Sequence, residues 1–221
     1  ACDGFVINLG NMEDSVVEAM LRAGKRNNAI GHPVILDPVG AGAAEKRNNV
    51  LFKLIDEIKF SVIRGNISEI KFLATGMSGA KGVDASEADK VTEKNIDYVA
   101  DMAKNLSKKT GAVIAISGEI DIIADENRAY IIKNGCAMMS RVTGTGCMLS
   151  SVIGVFCAAN KEHILEACVA AVSSYGYAGE LAYKKTIEND GGTSSFRMYL
   201  IDYMSKMNWE IFKGGALIES R

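Results

Sequence analysis

No stretch of this sequence stays apolar for the ~20 residues that a bilayer-spanning helix requires. The first residues, Ala1-Cys2-Asp3-Gly4, also lack the basic-then-apolar order of a secretory signal. These two absences predict a cytoplasmic protein with no membrane partner. There is no basic cluster either: lysines are scattered and the formal net charge is −2, which excludes a nucleic-acid surface. The five cysteines are odd in number and contain no Cys-x-x-Cys, which argues against a disulfide framework and a structural zinc site. No internal repeat and no linker interrupts the chain. What remains is ordinary globular composition, 48% apolar and 24% charged over 221 residues, enough for one sizeable core. Residues 1–221 are therefore read as a single domain.

Along the chain, short apolar runs alternate with helical periodicity. Phe5 to Leu9 reads as a strand and residues 12 to 27 as a helix with Val16, Val17, Met20 and Leu21 on one face. Pro33 introduces the β-rich run Val34-Ile35-Leu36-Asp37, and Pro38 stops it. A loop of small residues, Val39 to Ala43, leads to a helix carrying Leu51, Leu54, Ile55 and Ile58. Phe60 to Ile63 is the next predicted strand, followed by Arg64-Gly65-Asn66 and a short helix opened by Ser68 and Glu69. Residues 76 to 89 read as a surface loop. A helix with Ile96, Val99, Ala103 and Leu106 inward then delivers the strand Ala112 to Ile116 and, at its end, Ser117-Gly118-Glu119. Strands separated by helices imply parallel pairing with right-handed crossovers, and continuously apolar strands imply a sheet covered on both faces. The expected fold is therefore α/β: a doubly wound, mostly parallel sheet with helices on both faces. Three further runs, 120–124, 129–132 and 137–142, read as a short antiparallel edge meander. Residues 162–183 read as a helix buried on both sides, or on one side by a neighbouring subunit. Thr193-Ser194 can cap a last helix with Phe196, Tyr199, Leu200, Tyr203, Met204 and Met207 inward.

The most informative stretch is Arg141-Val142-Thr143-Gly144-Thr145-Gly146-Cys147, a glycine turn running straight into a helical pattern of Leu149, Val152, Ile153, Phe156 and Cys157. Glycine lets backbone amides approach a ligand, and unsatisfied amides at a helix start favour an anion. Gly144, Thr145, Gly146 and Cys147 are thus a candidate anion hole, with the Cys147 thiol placed as a candidate base. Cys157 and Cys168 fall in apolar helical patterns and read as core filler. In open α/β sheets ligands collect at the carboxyl ends of strands, where Asp37, Arg64 and Ser117 all fall. Each has an ordinary structural explanation alone: Asp37 as a turn former before proline, Glu69 as a helix-start carboxylate, Arg64 as half of a surface ion pair. Together they spell a phosphoryl-transfer site, with Asp37 and Glu69 for Mg²⁺ or its waters and Arg64 for a phosphate.

Five ordered motifs carry a resemblance. The segments 34–43, Ile63-Arg64-Gly65-Asn66 with Ser68-Glu69-Ile70, Gly82-Val83-Asp84, Ile116-Ser117-Gly118-Glu119 and 142–147 look like those of hydroxyethylthiazole kinase, a ribokinase-like family of thiamine salvage. The resemblance runs in register from Phe5 to Met207. It implies ATP- and Mg²⁺-dependent phosphorylation of 4-methyl-5-(2-hydroxyethyl)thiazole in a homotrimer whose pockets lie between subunits. It places Arg64, Ser117 and Thr143 with the nucleotide, Gly144 and Gly10 with the thiazole alcohol, Asp37 and Glu69 with the metal, and Cys147 as the catalytic residue where the wider superfamily usually has aspartate. Members carry a further strand-bearing segment ahead of the part equivalent to Phe5. The expectation is that this chain lacks it and binds nucleotide better than thiazole. Three other readings stay open: a catalytically silent ribokinase-like binding subunit, a related pyrimidine kinase, and a nucleotide-dependent hydratase or dehydratase.

Overall fold

The computed structural model describes residues 2–76 and 90–221. Among these residues seven strands form one sheet in the order β1 to β7. Strands β1 (Phe5–Asn8), β2 (Val34–Asp37), β3 (Val62–Asn66) and β4 (Val113–Ser117) pair in parallel. Helix α1 (Asp14–Ala29), helix α2 (Glu45–Glu57), and then α3 (Ile67–Thr75) with α4 (Ile96–Thr110) make the three crossovers. All four helices pack apolar side chains on one face of the sheet, where Met20 and Leu21 of α1 lie against the buried Leu51, Leu54, Ile70, Val99 and Leu106. Strands β5 (Asp121–Ala124), β6 (Ala129–Ile132) and β7 (Ile218–Ser220) add antiparallel pairs at the far edge.

The second face is covered by the C-terminal helices α5 (Thr145–Ala159), α6 (Ile164–Glu188) and α7 (Thr193–Lys206). Two apolar layers result. One includes Ile7, Val34, Leu36, Ile63, Ile114 and Ile116; the other includes Ile35, Val62, Val113, Ala115, Ile153 and Ala171. Adjacent strand residues fall in opposite layers because side chains alternate across a pleated strand. Helix α8 (Trp209–Phe212) precedes the last strand.

Three sequence expectations are corrected. Residues Ala137–Arg141 are a 3-10 helix, not the third strand of the meander. The run is methionine-rich rather than β-branched, and Met139 occupies a niche against Gly179 of α6. The free edge of β6 is taken instead by β7 from the distant C-terminus. The strand expected at 60–63 begins later, at Val62, and includes Arg64, Gly65 and Asn66, whose partners on β4 run to Ser117. Helix α7 is capped by Gly192 with no side-chain cap, so Thr193 is its first residue and not its cap. The apolar character of residues 162–183 is accounted for within the chain: α6 buries Leu165, Cys168, Val172, Tyr175 and Ala182 against the sheet, α5 and α7.

Candidate active site

Strand alternation assembles the site. Val6, Ile35, Val62 and Ala115 all lie in the layer under α5 and α6. The residue two further along each strand points the same way, which brings Asn8, Asp37, Arg64 and Ser117 out on that face at the carboxyl ends of the parallel strands. Asn8 is the register partner of Asp37, and Asn66 that of Ser117. Helix α5 starts over this row. Its N-cap is Gly144, with φ 93°, a left-handed conformation that favours glycine. The Thr145 amide donates back to the Val142 carbonyl at 3.4 Å, and the next first-turn amides have no partner within the helix. Thr145 holds the turn from below: its hydroxyl donates to the carbonyls of Met139 (2.9 Å) and Val142 (3.1 Å), and Tyr175 donates to the Thr145 carbonyl at 2.9 Å.

Arg64 is not a surface ion pair. Its side chain is 12% exposed, Nη2 donates to Ser117 Oγ at 2.5 Å, and Nη1 lies 3.5 Å from Asp37 Oδ2. A Cβ on Gly146 would meet the guanidinium at 3.0 Å, so glycine there lets the charge sit against the turn. Asp37 is buried. Its Oδ2 accepts from Ser150 Oγ of α5 at 2.7 Å and from Asn8 Nδ2 at 3.1 Å, whereas Oδ1, also buried, has no hydrogen-bond partner. Glu69 is spent differently: Oε1 accepts the Gly40 amide and Oε2 the Asn66 amide, both at 2.8 Å. Asn66 in return accepts the Glu69 amide, a reciprocal capping box that starts α3 with no loop after β3. Burial pushes the Glu69 carboxyl up, opposed by those two amides and by Arg64. Asp121, at the start of β5, accepts the Gly118 amide at 2.8 Å, and burial raises it to about 7. Arg64 thus pairs with Asp37, and its charge works against the upward shifts of Glu69 and Asp121.

Cys147 is exposed on the first turn of α5, and its sulfur accepts from Asn8 Nδ2 at 3.3 Å. The structure therefore brings together Asp37, Arg64, Ser117, Gly146 and Cys147. It sets Gly10 beside them through the Gly10 amide, which donates to Asn8 Oδ1 at 2.9 Å. Thr143 and Gly144 are exposed at the mouth of the turn. Gly82-Val83-Asp84 lies outside the described residues. Sequence reasoning missed Asn8, Ser150, Tyr175 and Asp121. Asn8 was within reach, since it follows Val6 by the same two-residue step that separates Ile35 from Asp37.

No cluster of three or more histidine, cysteine or acidic ligands occurs among the described residues, so no protein-only metal cage is present there. The donor set suits a different arrangement. A small hard cation takes one or two carboxylates and completes its shell with water and phosphate oxygens, and the unpartnered Asp37 Oδ1 fits that role.

An α/β sheet with an acid, a guanidinium and a hydroxyl at its strand ends, facing a glycine turn that opens a helix, is the layout of a ribokinase-like small-molecule kinase. The same fold is seen in the pyridoxal kinase of Staphylococcus aureus in complex with ADP, at TM-score 0.53 and 18% identity, covering 78% of this chain and 62% of that one. The family model for the hydroxyethylthiazole kinase family matches residues 1–210. Hydroxyethylthiazole kinase of Clostridium acetobutylicum is 50% identical over 219 residues, covering 99% of this chain and 80% of the relative. The structure of a hydroxyethylthiazole kinase protein from Pyrococcus horikoshii OT3 superposes with TM-score 0.84 at 28% identity, covering all of this chain and 78% of that one. The chain belongs to the hydroxyethylthiazole kinase family.

Proposed function

We propose that this chain phosphorylates the primary alcohol of 4-methyl-5-(2-hydroxyethyl)thiazole from ATP, as a step of thiamine salvage. The observation that carries the reading is the convergence of Asp37, Arg64 and Ser117 on the start of α5 beside an exposed Cys147. Gly144 and Gly10 border the alcohol, and Arg64, Ser117 and Thr143 the nucleotide phosphates. The alcohol oxygen attacks the γ-phosphorus and the bond to the β–γ bridging oxygen breaks. ADP leaves, and the alcohol proton passes to the Cys147 sulfur and on to solvent. In a loose transition state that proton leaves late, so positioning and charge neutralisation by Arg64 and by the amides of Gly144 to Cys147 carry most of the acceleration.

Asp37 Oδ1 would hold Mg²⁺, with Glu69 supporting it through water, and the ion when bound supplies charge neutralisation at the phosphates. Residues 1–221 act as one kinase domain in the cytoplasm, in a homotrimer with pockets between subunits. ADP release by the purified chain, with and without the thiazole alcohol, tests the reading: turnover that requires the alcohol is expected. ATP hydrolysis indifferent to it, or a preference for a pyrimidine alcohol, would falsify it.

A further inference from the structure

The half-buried Asn8 makes contacts that the strand end alone does not require. Its carboxamide oxygen accepts the Gly10 amide at 2.9 Å, which leaves the nitrogen on the opposite side. That nitrogen has two hydrogens. One reaches Asp37 Oδ2 at 3.1 Å and the other Cys147 Sγ at 3.3 Å. The reverse flip would set an oxygen against a carboxylate oxygen and a nitrogen against an N–H, so only one orientation satisfies all three contacts. Asp37 Oδ2 is in turn anchored by Ser150 of α5, three residues beyond Cys147. The sulfur is therefore tied to the sheet through one side chain whose own orientation is set by a backbone amide.

We propose that Asn8 is a positioning residue of the phosphoryl transfer: its carboxamide, oriented by the Gly10 amide, holds the Cys147 sulfur as an acceptor in fixed register with Asp37. This rests on Cys147 receiving the alcohol proton. A sulfur that accepts a hydrogen bond presents its lone pair from a defined direction, and a group that acts by position loses effectiveness when its supporting contact is removed. Asn8 does not itself take the proton.

The test is a double-mutant cycle on the full chain with ATP and the thiazole alcohol, using Asn8→Ala, Cys147→Ala and both together. Asn8→Ala is expected to lower kcat roughly tenfold, with KM for ATP little changed, in the native background, and less than about twofold in the Cys147→Ala background, since residues acting as a unit are not additive. An equal loss in both backgrounds, or no loss in the first, overturns the proposal.

A second measurement needs no turnover. Cys147 alkylation by iodoacetamide, read on the Cys147 peptide at neutral pH, should change several-fold in Asn8→Ala, because the hydrogen bond that fixes the direction of the sulfur is gone. Gly10→Ala checks the orientation without removing Asn8: its added Cβ would fall 2.9 Å from Asn8 Oδ1 and displace it. An altered alkylation rate in that variant supports the proposal, and a native rate in both variants overturns it. Wild-type ATP turnover that ignores the alcohol would sink the functional reading instead, so the two failures are told apart.

Discussion

A guanidinium buried between an acid, a hydroxyl and a glycine turn does more than a charge at the surface. Arg64 is held by Ser117 and Asp37, lies against Gly146, and is 12% exposed, so it keeps its position without cost when phosphate arrives. Arg64→Ala is therefore expected to lower kcat/KM about a thousandfold. Cys147→Ala should lower it about ten- to a hundredfold, toward the low end of what a general base contributes, and leave measurable turnover. Equal and complete loss in both variants would contradict that ranking, and steady-state kinetics decides it. Asp121 gives a separate test by pH. Burial raises its carboxyl to about 7 from an ordinary 3.8, so the folded chain retains a proton that the unfolded chain releases near pH 4. The associated stability is complete below that pH and is lost as the pH rises toward 7, up to about 4 kcal/mol. Asp121→Asn, which keeps an acceptor for the Gly118 amide, should gain on the wild type across pH 4 to 7.5 in urea denaturation. A difference that stays constant over that range would reject the assignment.

Among the elements, α3 and α6 show how local sequence serves the site. The capping box of Asn66 and Glu69 lets β3 pass into α3 without a loop and ties Gly40, in the loop after β2, to the same carboxylate. Asn66→Ala removes one side of the box and should cost about 1 kcal/mol by thermal denaturation. In α6, glycine at position 176 weakens the helix by about 1 kcal/mol relative to alanine. Yet an added Cβ would lie 2.7 Å from the Asn134 carbonyl oxygen and 2.8 Å from its carbonyl carbon. Backbone cannot give way as a side-chain tip can. Gly176→Ala should therefore destabilise by about 1–3 kcal/mol as overpacking, in spite of the better helix former, and a melting temperature at or above wild type would refute the contact. Asn134 also holds Gly215 and Leu217 ahead of β7, so the C-terminal strand should loosen with it, which protection of the Ile218 to Ser220 amides from hydrogen exchange would report.

For the whole molecule, the two faces of the sheet divide the labour. The face bearing α1 to α4 is apolar packing up to the strand ends, whereas the α5 to α7 face turns from core to site within two residues of each strand. No helix among the described residues is long and apolar enough to cross a membrane. The homotrimer is a proposal at this scale: sedimentation should give three times the 23.7 kDa chain mass, and a species of single-chain mass at micromolar concentration would contradict it. Because α6 is covered by its own chain, its apolar composition no longer argues for a neighbouring subunit.

Alternating β and α patterns, the two prolines around β2 and the glycine turn before α5 were sufficient for the class of fold. They also sufficed to place Asp37, Arg64, Ser117 and Cys147 at one rim, since strand ends and helix starts follow from local periodicity and turn chemistry. The 3-10 helix at 137–141, the recruitment of β7 to the β6 edge and the burial of Arg64 were decided only by tertiary packing, because each depends on a partner far along the chain. The same holds for Asn8: it faces Cys147 only once β1 and α5 are brought together, 139 positions apart. Hydrogen bonds of that span leave no period in the sequence.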